Sequence, residues 1–310
     1  FDSKKALGIS FFTALLFAIH PVQVETVCWI SASKIVLSTF FYLSALICYI
    51  QYMRNSKWQY LLASVVSSIL AMGCKEQSVI IVPCLLLFDW MLFKRNMRSL
   101  KVYIEKVYYL IPAIAIFIVT LVANKDTGEE IIGYTIVDRF IFLCYSVFKY
   151  LLISAIPFKL SYLYPFPFQV GEKIPMALWI YPFVILFIGY VIYLNRRKPL
   201  LVFCTLFFIL HLLPVLHVIP LPRYVVAADR YLYIPYIAFA IGLSILSYHL
   251  YERQRKWILY AGFLYCSYLC IYTADYAPAW KNSDTLKEHF KEVLKKRETN
   301  LSINFKHEKQ

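Results

Sequence analysis

Charge is what this sequence has least of. Only 16% of its 310 residues are Asp, Glu, Lys or Arg, against about 25% in soluble globular chains, while 61% are hydrophobic. A chain so short of charge cannot cover a soluble surface of its own size. Glycine is scarce as well, 8 residues in all, and there is no Gly-rich phosphate loop, no HExxH and no GxSxG. The corresponding nucleotide-binding, zinc-hydrolase and serine-hydrolase chemistries are therefore without a motif. No CxxC occurs. The eight cysteines (Cys28, Cys48, Cys74, Cys84, Cys144, Cys204, Cys266 and Cys270) are scattered, mostly through apolar runs, which suits small apolar filler better than a disulfide framework. Acids are fewer than bases, 18 against 32, for a net charge of +14. Such a balance can mark a nucleic-acid binder, but here the bases fall in short clusters between apolar runs, as topology signals do. No nucleic-acid partner is expected.

What is present is a succession of apolar runs down almost the whole chain, with 26 Tyr and 24 Phe available for the membrane–water interfaces. The runs predict an all-α polytopic membrane protein with about nine transmembrane helices, over residues 6–19, 35–53, 59–73, 78–93, 103–123, 176–194, 199–213, 231–250 and 257–273. Lys4 and Lys5 place the start on the cytoplasmic side. The clusters Arg54/Lys57, Lys94–Lys101, Arg196–Lys198 and Arg253–Lys256 then all fall inside, as the positive-inside rule requires. That topology works only if residues 140–156 lie along the outer interface instead of crossing. An interfacial amphipathic helix would also explain Lys149 in the middle of that run. Residues 1–274 are read as the membrane domain. Residues 275–310 form an extracytoplasmic tail with one amphipathic helix over 282–296, N-capped by Ser283 and carrying Leu286, Phe290 and Leu294 on one face. The outer loops are longer, mixed in charge and rich in proline and aromatics, so function is expected outside.

Three polar groups stand out there. His20, Glu25 and Lys34 sit at the outer lip of the first two spans, where ionisable groups are costly unless paired or useful. His20 and Glu25 could hold a divalent metal or orient an acceptor. Alternatively, His20 caps a helix C-terminus and Glu25 pairs with Lys34. Lys75 and Glu76 occupy a tight turn, either as a mutual salt bridge or with Lys75 as a point charge for a phosphate. Arg223, Asp229 and Arg230 precede the eighth span. Two guanidiniums there could clamp a pyrophosphate, or merely anchor the span end. His211 and His217 read as packing or interfacial groups.

Four segments then carry a resemblance, in one order along the chain: LLFAIHPVQVETVCWISASKIVLSTFF, MGCKEQSVIIVPCLLLFDW, AADRYLYIPYIAFAIGL and AWKNSDTLKEH. Together they are similar to the membrane domain of the tetratricopeptide-repeat-containing GT-C family, which includes the transmembrane O-mannosyltransferases and bacterial relatives. The resemblance implies a GT-C-type membrane glycosyltransferase. Such an enzyme transfers a sugar from a polyprenyl-phosphate donor to a protein Ser or Thr on the extracytoplasmic face, and a divalent metal ion is a candidate cofactor. It maps His20, Glu25 and Lys34 to catalysis, with His20 and Glu25 as metal ligands, and Lys75, Glu76, Asp229 and Arg230, together with Arg223, to the donor phosphate. It also implies membrane lipid, lipid-linked sugar and an acceptor protein as partners and an extracytoplasmic active face; the Tyr-, Lys- and Ile-rich composition points to a bacterial source, so the expected location is a bacterial inner membrane with that face periplasmic. Ile35 stands where the family has an acid. The chain opens at Phe1 without the family's first span and outer loop, where the usual catalytic acid lies, and it ends without the repeats. The expectation is a segment of a longer protein, or else a catalytically inactive membrane scaffold or lipid-binding subunit that keeps the GT-C shell.

Overall fold

The computed structural model describes residues 3–123, 134–161, 164–216, 225–253, 255–289 and 291. Among these the architecture is all-helical. Eleven α-helices follow in order: α1 Ser3–Ile19, α2 Val24–Cys28, α3 Ser33–Asn55, α4 Trp58–Cys74, α5 Ile81–Met91, α6 Leu100–Ala123, α7 Ile136–Ala155, α8 Ile180–Leu194, α9 Pro199–Leu212, α10 Pro235–Arg253 and α11 Arg255–Tyr276. Short 3-10 turns at Pro21–Gln23, Ile30–Ala32, Glu76–Ile80, Asp229–Leu232 and Ala277–Trp280 lie between the helices, at the ends the charge pattern assigns to the outer side.

A helix falls at each of the nine expected spans, but they are not all of spanning length. Four helical segments are long and apolar enough to cross a membrane: Ile30–Asn55, Leu100–Ala123, Met176–Leu194 and Trp257–Trp280. A fifth results if Ser3–Ile19 and Pro21–Cys28, which meet at 55°, count as one span. The difference from nine is largely one of length. Helix α5 has 11 residues, about 16 Å at 1.5 Å per residue, roughly half of a ~30 Å hydrocarbon core. Helices α4 and α9, with 17 and 14 residues, are short too. The protein is thus a membrane-embedded helical bundle. Its outward faces carry a belt of exposed apolar side chains such as Phe11, Phe183, Phe187, Leu186 and Phe263. Helix α8, apolar throughout, buries none of its residues, as expected of a helix whose solvent is lipid.

Packing follows the sequence order closely. Helices α3 and α4 form an antiparallel hairpin, turned at Ser56 in the left-handed conformation (φ 55°), a common helix-end geometry. Ser64 of α4 donates to the Ala45 carbonyl of α3 (2.7 Å), and Tyr109 of α6 donates to Ser64 (2.8 Å). Helix α10 packs against α1, α9 and α11. The Lys5–Glu252 pair (3.1 Å) ties the start of α1 to the end of α10, so both lie at the same end of the bundle, as the charge pattern requires. His211 is a satisfied core histidine, with Nδ1 on the Phe207 carbonyl and Nε2 on the Tyr42 hydroxyl (both 2.8 Å), in line with a packing role. All eight cysteines are free.

Helix α7 is not among the spanning helices. Ser146 donates to the Val226 carbonyl (3.1 Å), and the Tyr150 hydroxyl accepts from Ala228 N (3.3 Å), so the inward face of α7 covers the loop leading into α10. Its C-terminal end is held by α11, whose Tyr265 donates to the Ala155 carbonyl (2.9 Å) and whose Tyr268 donates to the Pro157 carbonyl. At the tail, residues 283–289 are helical and Leu286 packs on the core. Phe290 and Leu294 lie outside the described side chains.

Candidate functional site

The local sequence explains why the first outer loop folds back. His20 precedes Pro21, which disfavours the α conformation, and His20 is accordingly extended (φ −74°, ψ 128°). The chain bends and restarts as a 3-10 turn with proline at its first position. His20 Nδ1 accepts the Val22 N–H (3.3 Å), capping that turn. The histidine therefore caps the N-terminus of the following turn, not the C-terminus of α1. Because Nδ1 is an acceptor, Nε2 carries the proton in the neutral ring. Nε2 faces the Ser154 backbone without reaching hydrogen-bond geometry. The His20 ring packs on Tyr236, with centroids 4.3 Å apart.

One turn further on, fully buried Glu25 reaches a residue 205 positions away. Its Oε1 accepts from Arg230 Nη1 at 2.5 Å and its Oε2 from the Arg230 backbone N–H at 2.9 Å. The carboxylate thus pairs with the guanidinium and also holds the 3-10 turn Asp229–Leu232. The Arg230 guanidinium lies 5.5 Å from the Trp29 ring centroid and 4.9 Å from that of Tyr231, an orientation suited to cation–π attraction. Burial lowers its pKa, but Glu25 and Tyr231 outweigh this and the net shift is upward. Asp229 is buried and accepts from the Tyr164 hydroxyl at 2.8 Å. Burial first, and the nearby Glu25 second, push its carboxyl well above the usual carboxylate range, against the pull of Tyr164, Lys149 and Arg230. Lys149 stands 5.2 Å over the Tyr164 ring. The base expected to lie in the interface thus belongs to the surroundings of Asp229. The turn Ala277–Trp280 closes the cluster beside α2, with Trp280 5.9 Å from Trp29.

The remaining candidates are placed elsewhere. Lys34 is exposed in the first turn of α3, where a cation opposes the helix dipole. Its electrostatic partner is Glu76 instead of Glu25. Lys75 pairs with Glu76 at 2.5 Å, so the turn carries its own salt bridge. Burial raises the Glu76 carboxyl, but Lys75 and Lys34 together leave it below its ordinary value. The structure therefore joins Lys75 to Glu76 and Arg230 to Glu25, as two separate pairs among the described residues. Arg223 and His217 lie outside the described residues.

The residues do not fit a divalent cation. Both Glu25 oxygens are taken by Arg230 and His20 Nδ1 by Val22 N. Among the described residues no group of three or more His, Cys, Asp or Glu could hold a metal. The His20–Glu25 metal pair is thus not assembled as a site.

A second polar cluster lies at the opposite, inner end. Lys106 Nζ is 2.6 Å from Asp89 Oδ2, Arg95 Nη1 is 2.6 Å from Glu105 Oε2 and 3.4 Å from Asp89 Oδ2, and the Tyr49 hydroxyl lies 2.6 Å from Asp89 Oδ1. Tyr52 reaches Glu105 at 3.3 Å. Burial lowers the Arg95 pKa, yet Glu105 and Asp89 raise it further than that. Sequence reasoning counted these charges only as topology markers. Their one local signal was an acid and two adjacent charges at the membrane ends of α5 and α6.

Comparison of the chain with protein-family models, with curated proteins and with solved structures found no match.

Proposed function

We propose that this chain is a GT-C-type membrane domain of nine membrane-embedded helices that transfers a sugar from a polyprenyl-phosphate donor to a Ser or Thr hydroxyl of an acceptor protein on the extracytoplasmic face of a bacterial inner membrane. The observation that carries the reading is the direct pairing of Glu25 with Arg230. Two of the segments that resemble the glycosyltransferase family, 205 residues apart, meet in one buried ion pair at the outer end of the bundle. In this reading Glu25 sets the orientation of Arg230, and the partly exposed guanidinium offers its remaining N–H groups to the donor phosphate. Such donors are worth most at the edge of a low-dielectric site, where they oppose the charge developing on the leaving group. An apolar groove of about 460 Å³ between α5 and α9, lined by Pro83, Leu87, Trp90, Leu206, Ile209 and Leu213, has the polarity to hold part of a polyprenyl tail.

The direct test is transfer of labelled sugar from polyprenyl-phosphate-mannose, -glucose or -galactose to a Ser/Thr-rich acceptor by purified full-length protein in nanodiscs. Transfer that Arg230→Gln abolishes is expected. Folded protein that neither binds nor uses any of the donors would refute the reading. The commitment of both Glu25 oxygens to Arg230 favours a second reading, a non-catalytic lipid-binding scaffold with the same shell. Donor binding without transfer is its signature.

A further inference from the structure

Most buried polar side chains in this bundle find partners. Ser38, Ser64, Thr39, Ser244 and His211 all do, as is general for protein interiors. Six side chains beneath the outer loop carry buried polar atoms that do not: His20 (Nε2), Gln23 (both amide atoms), Thr26 (Oγ1), Ser154 (Oγ), Asp229 (Oδ2) and Tyr236 (hydroxyl). Each is at least nine-tenths buried. They are also neighbours. His20 caps the Pro21–Gln23 turn, and Gln23 and Thr26, three residues apart, share a face of the short helical stretch that follows it. The Pro21–Gln23 turn packs on the Asp229–Leu232 turn, Tyr236 lies against His20, and His20 Nε2 faces the Ser154 backbone.

The chemistry of the set narrows what it would bind. None of these six side chains is a cation, so they do not themselves draw an anion. They offer a metal no ligand group of sufficient size. An apolar chain would leave every one of these atoms unsatisfied. What remains is a compact, uncharged ligand that both donates and accepts at several points, which describes the hydroxyls of a pyranose ring.

We propose that His20, Gln23, Thr26, Ser154, Asp229 and Tyr236 form a hexose-binding subsite. It receives the sugar of the lipid-linked donor through neutral hydrogen bonds, next to the Arg230 that faces the phosphate. This rests on the glycosyltransferase reading and adds to it the residues that recognise the sugar.

The test compares binding of undecaprenyl phosphate carrying mannose, glucose or galactose with bare undecaprenyl phosphate, using purified protein in nanodiscs. Wild type is expected to prefer at least one sugar-bearing lipid by tenfold or more. The double variant Gln23→Leu/Thr26→Val replaces polar groups by apolar ones of similar size. It is expected to lose that preference while its affinity for the bare phosphate stays within about twofold. Tyr236→Phe keeps the ring against His20 and removes only the hydroxyl, and it is expected to weaken the same preference without altering the loop. Thr26→Ser is expected to retain it. If both the double variant and Tyr236→Phe keep the full preference, the sugar binds elsewhere and the six groups enclose structural water only. That result sinks the subsite and leaves the glycosyltransferase reading standing. If folded wild type binds neither class of lipid, or does not distinguish them, the glycosyltransferase reading falls and the subsite with it.

Discussion

The two ends of the bundle solve the same electrostatic problem in different ways. At the inner end, two acids and two bases from the ends of α5 and α6 and the loop between them interlock with Tyr49 and Tyr52, and none of their side-chain polar atoms is left buried without a partner. At the outer end the Glu25–Arg230 pair borders six side chains with orphaned polar atoms, and the Lys75–Glu76 pair stands apart from them. A fully satisfied buried network rigidifies its surroundings, whereas a partly satisfied one is costly to maintain. The inner cluster is therefore read as a staple that fixes three helices. The outer one has the polar capacity that an incoming ligand would use.

The sharpest way to break this comparison is at the staple. Asp89→Leu removes the acceptor shared by Lys106, Arg95 and Tyr49, leaving buried cations behind. Loss of one partner of a buried pair costs about 3–5 kcal/mol, so a large fall in thermal midpoint in detergent is expected. The double variant Asp89→Leu/Lys106→Met should regain most of it, since an apolar replacement of both partners is often neutral. If the double variant is no better than the single one, the staple reading is wrong.

The outer pair comes next. Glu25→Gln keeps an acceptor for the Arg230 backbone but removes the countercharge, at a cost of about 1–3 kcal/mol by the usual penalty for an unmatched buried group. Thermal melts would show a smaller shift than Asp89→Leu, together with complete loss of sugar transfer. Equal shifts at the two ends would erase the distinction drawn here.

Asp229 gives a pH signature of moderate size. Its folded pKa lies above the ordinary value of about 3.9, so the folded state holds a proton that the unfolded chain has released. Stability should then fall as pH rises above that value, and level off once the folded carboxyl ionises. Asp229→Asn, which cannot titrate, should flatten this slope, with Glu25, Lys149 and Arg230 still facing the site. Melting curves from pH 4 to 8 on both proteins check it, and parallel profiles would count against a neutral Asp229.

The smallest effect belongs to the Lys75–Glu76 turn. Glu76 is 43% exposed and its pKa is depressed. Its contribution is present above the unfolded value and disappears as pH falls through the folded one. For a solvent-screened pair this is below about 1 kcal/mol, so Glu76→Gln should change stability little and lose even that effect in high salt.

Much of the helical skeleton was legible from the sequence, because each apolar run between basic clusters became a helix. The identity of the polar pairs was not. Glu25 was set against Lys34, nine residues on, yet α2 turns it towards Arg230, while Lys34 faces Glu76. The choice is made by which outer turns the bundle brings together, and that depends on helix packing over 205 residues. Lys149 was legible as an oddity in an apolar run, but not as a neighbour of Asp229. Gln23 and Thr26 carried a signal, their three-residue spacing, that becomes meaningful only when the bend at Pro21 buries that face. Span length misled for a different reason. An apolar run bounds a helix but does not say how much of it is helical, and α5 begins only after a five-residue 3-10 turn.

The separation of Glu25 from Arg230 also bears on how the chain reaches its final state. A helical hairpin such as α3–α4 can close as soon as it is made. The Glu25 carboxylate must wait until nine of the eleven helices have been made before its countercharge exists. Until then it remains in water, at the interface or protonated, because burying it alone would be prohibitive. Closure of the first loop over the Asp229–Leu232 turn is therefore a late event in assembly. A chain halted before Arg230 would display an open first loop, accessible to proteases and water-soluble labels, and the completed chain would not.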